Sequence, residues 1–146
     1  MAYTNALSAY RETRIRTASQ GQLIIMLYDE AVRQLDSALE LMGLNASEKK
    51  EPGRIEHIGK AIGKTQDIVT ELMVSLDFEQ GGEIAKSLFA LYTWFNKELL
   101  EAHISQNLSC VAIVRNQINE LREAWSEAAL KAAEAGRPRE GVNIAG

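Results

Sequence analysis

Along the chain, apolar residues return every three or four positions in four separate blocks, and alternation of period two is nowhere sustained. That pattern predicts four amphipathic helices and no sheet. The first block carries Ile24, Tyr28, Ala31, Leu35, Ala38 and Met42. Ser19 and Gln22 in front of it have the spacing of a capping box, so the helix is expected to open at Ser19, and Gly43 is expected to end it in a left-handed conformation. The polar stretch NASEKKEPG then leads to Ile55, Ile58, Ile62, Val69, Leu72 and Leu76, with Thr65 filling the one polar step. After Gly81 and Gly82 a third stripe runs Ile84, Leu88, Leu91, Phe95, Leu99 and Ala102. A fourth, opening near Asn107, runs Val111, Val114, Ile118, Leu121, Trp125, Ala128 and Ala132.

Seams that alternate three and four steps, joined by short connections, favour antiparallel neighbours at a shallow crossing angle. The expected architecture is an all-α, antiparallel up-down four-helix bundle over residues 19–135. Residues 1–18 form a short mobile N-terminal segment outside it. The Gly- and charge-rich stretch 136–146 reads as a flexible, disordered tail.

The first block holds more apolar side chains than one stripe needs. Leu23 to Tyr28 are six consecutive apolar residues, which at roughly 100° per residue encircle the helix. Val32, Leu39 and Leu41 add to this surplus, as do Phe89, Tyr92, Trp94 and Leu100 in the third block. Two readings account for it. One is a wide core stripe; the other is a set of side chains lining grooves between helices, where a partner segment docks. Met26, Met42 and Met73 suit either, because the thioether chain adapts its shape.

Composition narrows the function classes. A chain of 146 residues fits one domain that buries about 68–70% of its unfolded surface without metals or disulfides. The single cysteine, Cys110, permits no internal disulfide, and no stretch reads as a signal peptide or as a membrane span. A soluble protein of the reducing cytoplasm, without membrane insertion, is expected. The net charge of −4 argues against a nucleic-acid partner, which requires clustered cations. The small basic groups Arg11, Arg14, Arg16 and Arg137, Arg139 read as solvated.

Catalytic and metal chemistry find little support. A ferritin-like di-iron centre needs Glu-x-x-His on facing helices, and neither His57 nor His103 has a glutamate three residues earlier. A zinc site built from both histidines and Cys110 has irregular spacing, and Cys110 beside Val111 reads as a small buried hydrophobe. Gly81 and Gly82 lie between helices and read as a turn device, not a phosphate loop. The chain is therefore expected to be no enzyme and to need no metal or cofactor.

Three motifs, in order, carry a resemblance. Tyr10 followed by TASQGQLIIMLYDEAVRQL, then SLDFEQGGEIAKSLFALY at 75–92, then ELREAW at 120–125, closely resembles the flagellar secretion chaperone family, FliS. The resemblance implies a four-helix bundle that binds the disordered C-terminal segment of flagellin in apolar grooves in the cytoplasm. It further implies that binding prevents premature polymerisation and supports delivery to a component of the flagellar type III export gate. By the same resemblance Leu23, Met26, Leu27, Tyr28 and Asp29 are the groove or groove-supporting residues, and Leu7 and Tyr10 form an N-terminal lid. A monomer or weak dimer is expected.

Asp29 also reads simply as a solvated acid favourable to the helix dipole. Trp125 is expected to pack within the bundle, and SLDFEQGGEIA is expected to join helices two and three, with Asp77 and Glu83 satisfying amides there. The chain departs from the family pattern at Gln20, where proline is usual, and at Glu30, where glycine is usual. Glu30 is expected to narrow the groove. A homo-oligomeric helical scaffold or adaptor with another client is the alternative.

Overall fold

A computed structural model of the chain describes residues 20–43 and 52–145, with side chains through 135. It contains four helices: α1 Gln20–Met42, α2 Arg54–Val74, α3 Phe78–Ser105 and α4 Leu108–Ala145. Each helix packs against two others, α1 on α2 and α4, α3 on α2 and α4, so the four close a ring. Neighbours run antiparallel. On the α1–α4 seam Arg115 Nε reaches Asp36 Oδ1 at 2.8 Å and Arg122 Nη1 reaches Asp29 Oδ1 at 3.4 Å, so rising numbers on one helix meet falling numbers on the other. On the α2–α3 seam Gln66 donates to the Asn96 carbonyl at 3.3 Å, while Gly59 lies against the His103 ring. Exposed ion pairs contribute about 0–1 kcal/mol, so these fix register more than they add stability.

The core is the set of stripes read from the sequence, with local shifts. All six stripe residues of α1 are buried, as are Ile58, Ile62, Val69 and Leu72 of α2. Thr65, the polar step, is fully buried and donates its hydroxyl to the Ala61 carbonyl at 2.9 Å, which removes the cost of burying it. Phe95, Leu99 and Ala102 of α3 meet Val111, Val114 and Ile118 of α4 in the same cluster.

The helix ends differ from expectation in ways that local geometry explains. Ser19 lies outside the described residues. Gly43 has no positive φ; its amide donates to the Leu39 carbonyl at 2.9 Å, so it continues the helical bonding instead of ending it with a left-handed turn. Helix α3 starts before the glycine pair. Asp77 caps it, with Oδ1 accepting from the Glu79 and Gln80 amides, both at 3.0 Å. Glu83 instead faces Lys86 at 3.4 Å. Gly82 interrupts α3 at φ 50, ψ −124, a conformation that only glycine adopts without strain. The kink resets the face that follows. Ala85 turns inward, while Ile84, expected in the core, is 73% exposed.

Other stripes end early for want of a neighbour. Ile55 in the first turn of α2 is half exposed. On α4 the packed positions stop at Trp125, and Ala128 and Ala132 are exposed. The α4 backbone is helical through Ala145, and the strong helix formers of SEAALKAAEA account for its course as far as residue 135. Asn107 opens that helix by accepting from the Cys110 amide at 3.2 Å, as the sequence pattern placed it.

Asp77→Ala removes two amide acceptors at the start of α3 and should lower unfolding free energy by about 1 kcal/mol. Urea denaturation followed by circular dichroism measures this, with Glu83→Ala, which caps nothing, expected within about 0.5 kcal/mol of the parent.

Candidate functional site

At the end of the bundle where α1 begins and α2 ends, the ring opens into an apolar groove of about 310 Å³. Its wall on α1 is Gln20, Gly21 and Ile24; the α2–α3 turn supplies Ser75, Leu76 and Asp77. Helix α3 supplies Gln80, Gly81, Ile84, Ala85, Leu88 and Tyr92, and α4 closes it with Trp125. The polar members sit at the rim and are largely occupied. Ser75 donates to the Leu72 carbonyl at 2.8 Å, and Asp77 holds its two amides.

The groove exists because of the Gly82 kink. The first turn of α3 leaves the direction of the rest of the helix, so Ile84 meets open space instead of core. On the outer side of the same corner Phe78 and Phe89 pack edge to face, ring centres 5.9 Å apart, and fix that first turn.

Behind the groove, the hydroxyls of Tyr28 on α1 and Tyr92 on α3 hydrogen-bond across the diagonal of the bundle. Tyr28 is 0% exposed and Tyr92 2% exposed. Burial pushes both phenols above their ordinary range, because an ionised ring oxygen there would lose its hydration. For Tyr28 the Tyr92 hydroxyl adds to the rise, while the polar edge of the neighbouring Trp125 acts in the opposite direction.

The residues designated from sequence fall in three places. Leu23, Leu27 and Tyr28 are buried, so they support the groove from behind or pack α1 elsewhere; none of them borders the cavity. Met26 is half-buried on the same helix and Asp29 is exposed, paired with Arg122. Leu7 and Tyr10 lie outside the described residues. Glu30 does not border this cavity: its carboxylate lies along α1, accepting from Arg33 at 2.7 Å and Gln34 at 2.9 Å.

Sequence reasoning missed Leu76, Ile84, Leu88 and Trp125 as groove-lining side chains, and placed Tyr92 only in the apolar surplus for which groove lining was one of two readings. A signal was present. The three motifs, distant along the chain, each contribute to this one cavity, and the LYD and ELREAW motifs touch through Asp29–Arg122 and Tyr28–Trp125. Among the described residues no three His, Cys, Asp or Glu side chains gather in a way that could hold a metal ion, and no helix is long and apolar enough to cross a membrane.

Over residues 3–132 the sequence matches a family described as "Flagellar protein FliS". It is 33% identical over 123 residues to the flagellar secretion chaperone FliS of Salmonella typhimurium, covering 84% of this chain and 85% of that one. It is 32% identical over 119 residues to the protein of that name from Escherichia coli, covering 82% of each. To the Bacillus subtilis protein of that name it is 27% identical over 128 residues, covering 88% of this chain and 89% of the relative.

The buried tyrosine pair makes stability sensitive to alkali. With folded-state values raised, both phenols keep their protons when the unfolded chain, whose tyrosines ionise near pH 10, loses them. Their contribution is therefore fully present below about pH 10 and falls above it, by up to about 1.4 kcal/mol per pH unit for each tyrosine. Urea midpoints measured from pH 9 to 11.5 should fall more steeply for the parent than for Tyr28→Phe or Tyr92→Phe.

Proposed function

Because the chain belongs to the FliS family of flagellar secretion chaperones, a family of chaperones and not of enzymes, we propose that it binds the disordered C-terminal segment of flagellin in the apolar groove at the α1 end of the bundle. The observation that carries this reading is the convergence of all three motifs on that groove. A segment that packs through apolar helical faces in a filament has no neighbours before export, and those faces are open to self-association. A groove that covers them blocks premature polymerisation.

The groove walls are side chains on helices whose backbone bonds are already used, with no free sheet edge among the described residues, so it suits an amphipathic helix laid between α1 and α3. Ile24, Ile84, Leu88 and Trp125 are the contact surface in this proposal, Leu23, Leu27 and Tyr28 hold it in place from behind, and Met26 and Asp29 flank it. The lid role of Leu7 and Tyr10 belongs to the same proposal and rests on the resemblance alone. So do a cytoplasmic location, transfer of the client to the type III export gate, and a monomer or weak dimer as the working form.

Calorimetric titration with the isolated C-terminal segment of the cell's own flagellin should give saturable one-to-one binding with a negative heat-capacity change, the mark of apolar burial coupled to folding. Ile84→Asp should weaken binding by about tenfold or more, about 1.4 kcal/mol, and leave the thermal melt close to that of the parent, since the side chain is exposed in the free protein. No binding at micromolar concentration, or an unaffected Ile84→Asp, would contradict the assignment.

A further inference from the structure

The groove wall contains a single charged side chain, Asp77, and no cation. Asp77 Oδ1 accepts both capping amides at 3.0 Å, so that oxygen is occupied. A carboxylate offers two oxygens and about four lone-pair sites, and Oδ2 has no hydrogen bond or ion pair among the described residues. The cations near the mouth are engaged elsewhere. Within one turn of a lining residue the described helices carry two, Lys86 and Arg122, and these lie 3.4 Å from Glu83 and 3.4 Å from Asp29. Carboxylates are more numerous over the same span, and Asp77, Glu79 and Glu123 join no ion pair among the described residues. Asp77 and Glu79 both belong to the α2–α3 corner. That corner of an otherwise apolar recess is therefore left negative, and low-dielectric walls strengthen the field of such a charge.

We propose that the groove selects amphipathic segments carrying a Lys or Arg beside the apolar residue that fills the recess, with Asp77 Oδ2 receiving that cation at the α2–α3 turn. The aliphatic stem of either residue suits this place. It can lie on Leu76, half-buried next to Asp77 in the groove wall, while the charged head stays at the exposed rim. An occupant that covers the recess takes water from one side of Asp77, and a cation replaces part of what the carboxylate loses. An Asp or Glu at the same position meets a like charge, and Ile84, Ala85 and Leu88 offer it nothing in place of water. Of two segments with the same apolar face, the basic one binds. The occupant named here rests on the chaperone reading. The preference for positive charge does not, and it can be tested without a client.

The test uses the intact protein and two small probes with one alkyl tail, hexylammonium and hexanol, titrated by chemical-shift changes of the Ile24, Ile84 and Leu88 methyls. Asparagine caps a helix start as well as aspartate does, so Asp77→Asn keeps the amide acceptor and removes only the charge. The parent should prefer the ammonium over the alcohol by about fivefold more than Asp77→Asn does, the upper scale of an ion pair at an exposed rim. The difference should shrink at high salt. Glu101→Gln, which removes an exposed charge at the opposite end of the bundle, should retain the preference. Circular dichroism checks that each variant is folded. An ammonium preference unchanged by Asp77→Asn, one lost equally in Glu101→Gln, or failure of both probes to perturb the groove methyls would overturn the proposal. Failure of the flagellin segment to bind, with the Asp77-dependent preference intact, would overturn the chaperone reading of the groove and leave the charge preference established.

Discussion

The apolar surface of α1 is wider than any single neighbour can cover, and the arrangement of the other helices follows from covering it. Leu23, Ile24, Leu27, Tyr28, Ala31 and Val32 are all buried, across an arc that one facing helix cannot span. Placing α1 between α2 and α4 covers both flanks, and α3 then closes the ring on the far side. Small residues make this possible: Ala31, Ala38 and Ala102 have no exposed surface, so the helices approach closely around them.

The ring is incomplete at one end, and there the molecule departs from an ideal bundle. A straight α3 would carry Ile84 on the stripe its sequence spacing implies. Gly82 breaks the helix instead, Asp77 caps a separate first turn, and Phe78 against Phe89 pins that turn from outside. The result is an apolar recess at the same end as Trp125 and the pair Tyr28 and Tyr92, whose hydroxyls meet across the bundle. Rigid walls of this kind suit an occupant that brings its own apolar face, because little of the site has to be ordered on binding.

Much of this was legible in the sequence. The period of each stripe placed four helices, and the seam spacing placed them antiparallel, because core burial enforces both. Thr65 was readable as a polar step since a threonine can bond back to its own helix. The glycine pair was legible as a turn device, and Gly82 does break the backbone; what periodicity could not supply was the helical turn that Asp77 caps in front of it, which leaves Ile84 outside the core. That single break exposes Ile84 and makes the groove. The site residues were misdirected for a related reason. A consecutive run such as Leu23 to Tyr28 draws attention as surplus, yet four of its six side chains are consumed by the width of the core. Trp125 looked like ordinary packing because a seam position and a groove wall are the same position where the bundle opens.

The central claim is that the α1 end, and not another apolar surface, receives the client. The opposite end also exposes apolar side chains, Leu100, Ile104 and Leu108, which makes it a fair internal comparison. Methyl chemical-shift mapping of the intact protein with the C-terminal flagellin segment decides between them most directly. The account predicts that the Ile24, Ile84 and Leu88 methyls shift in a saturable way while those of Leu100, Ile104 and Leu108 stay in place; shifts confined to the latter three would contradict it.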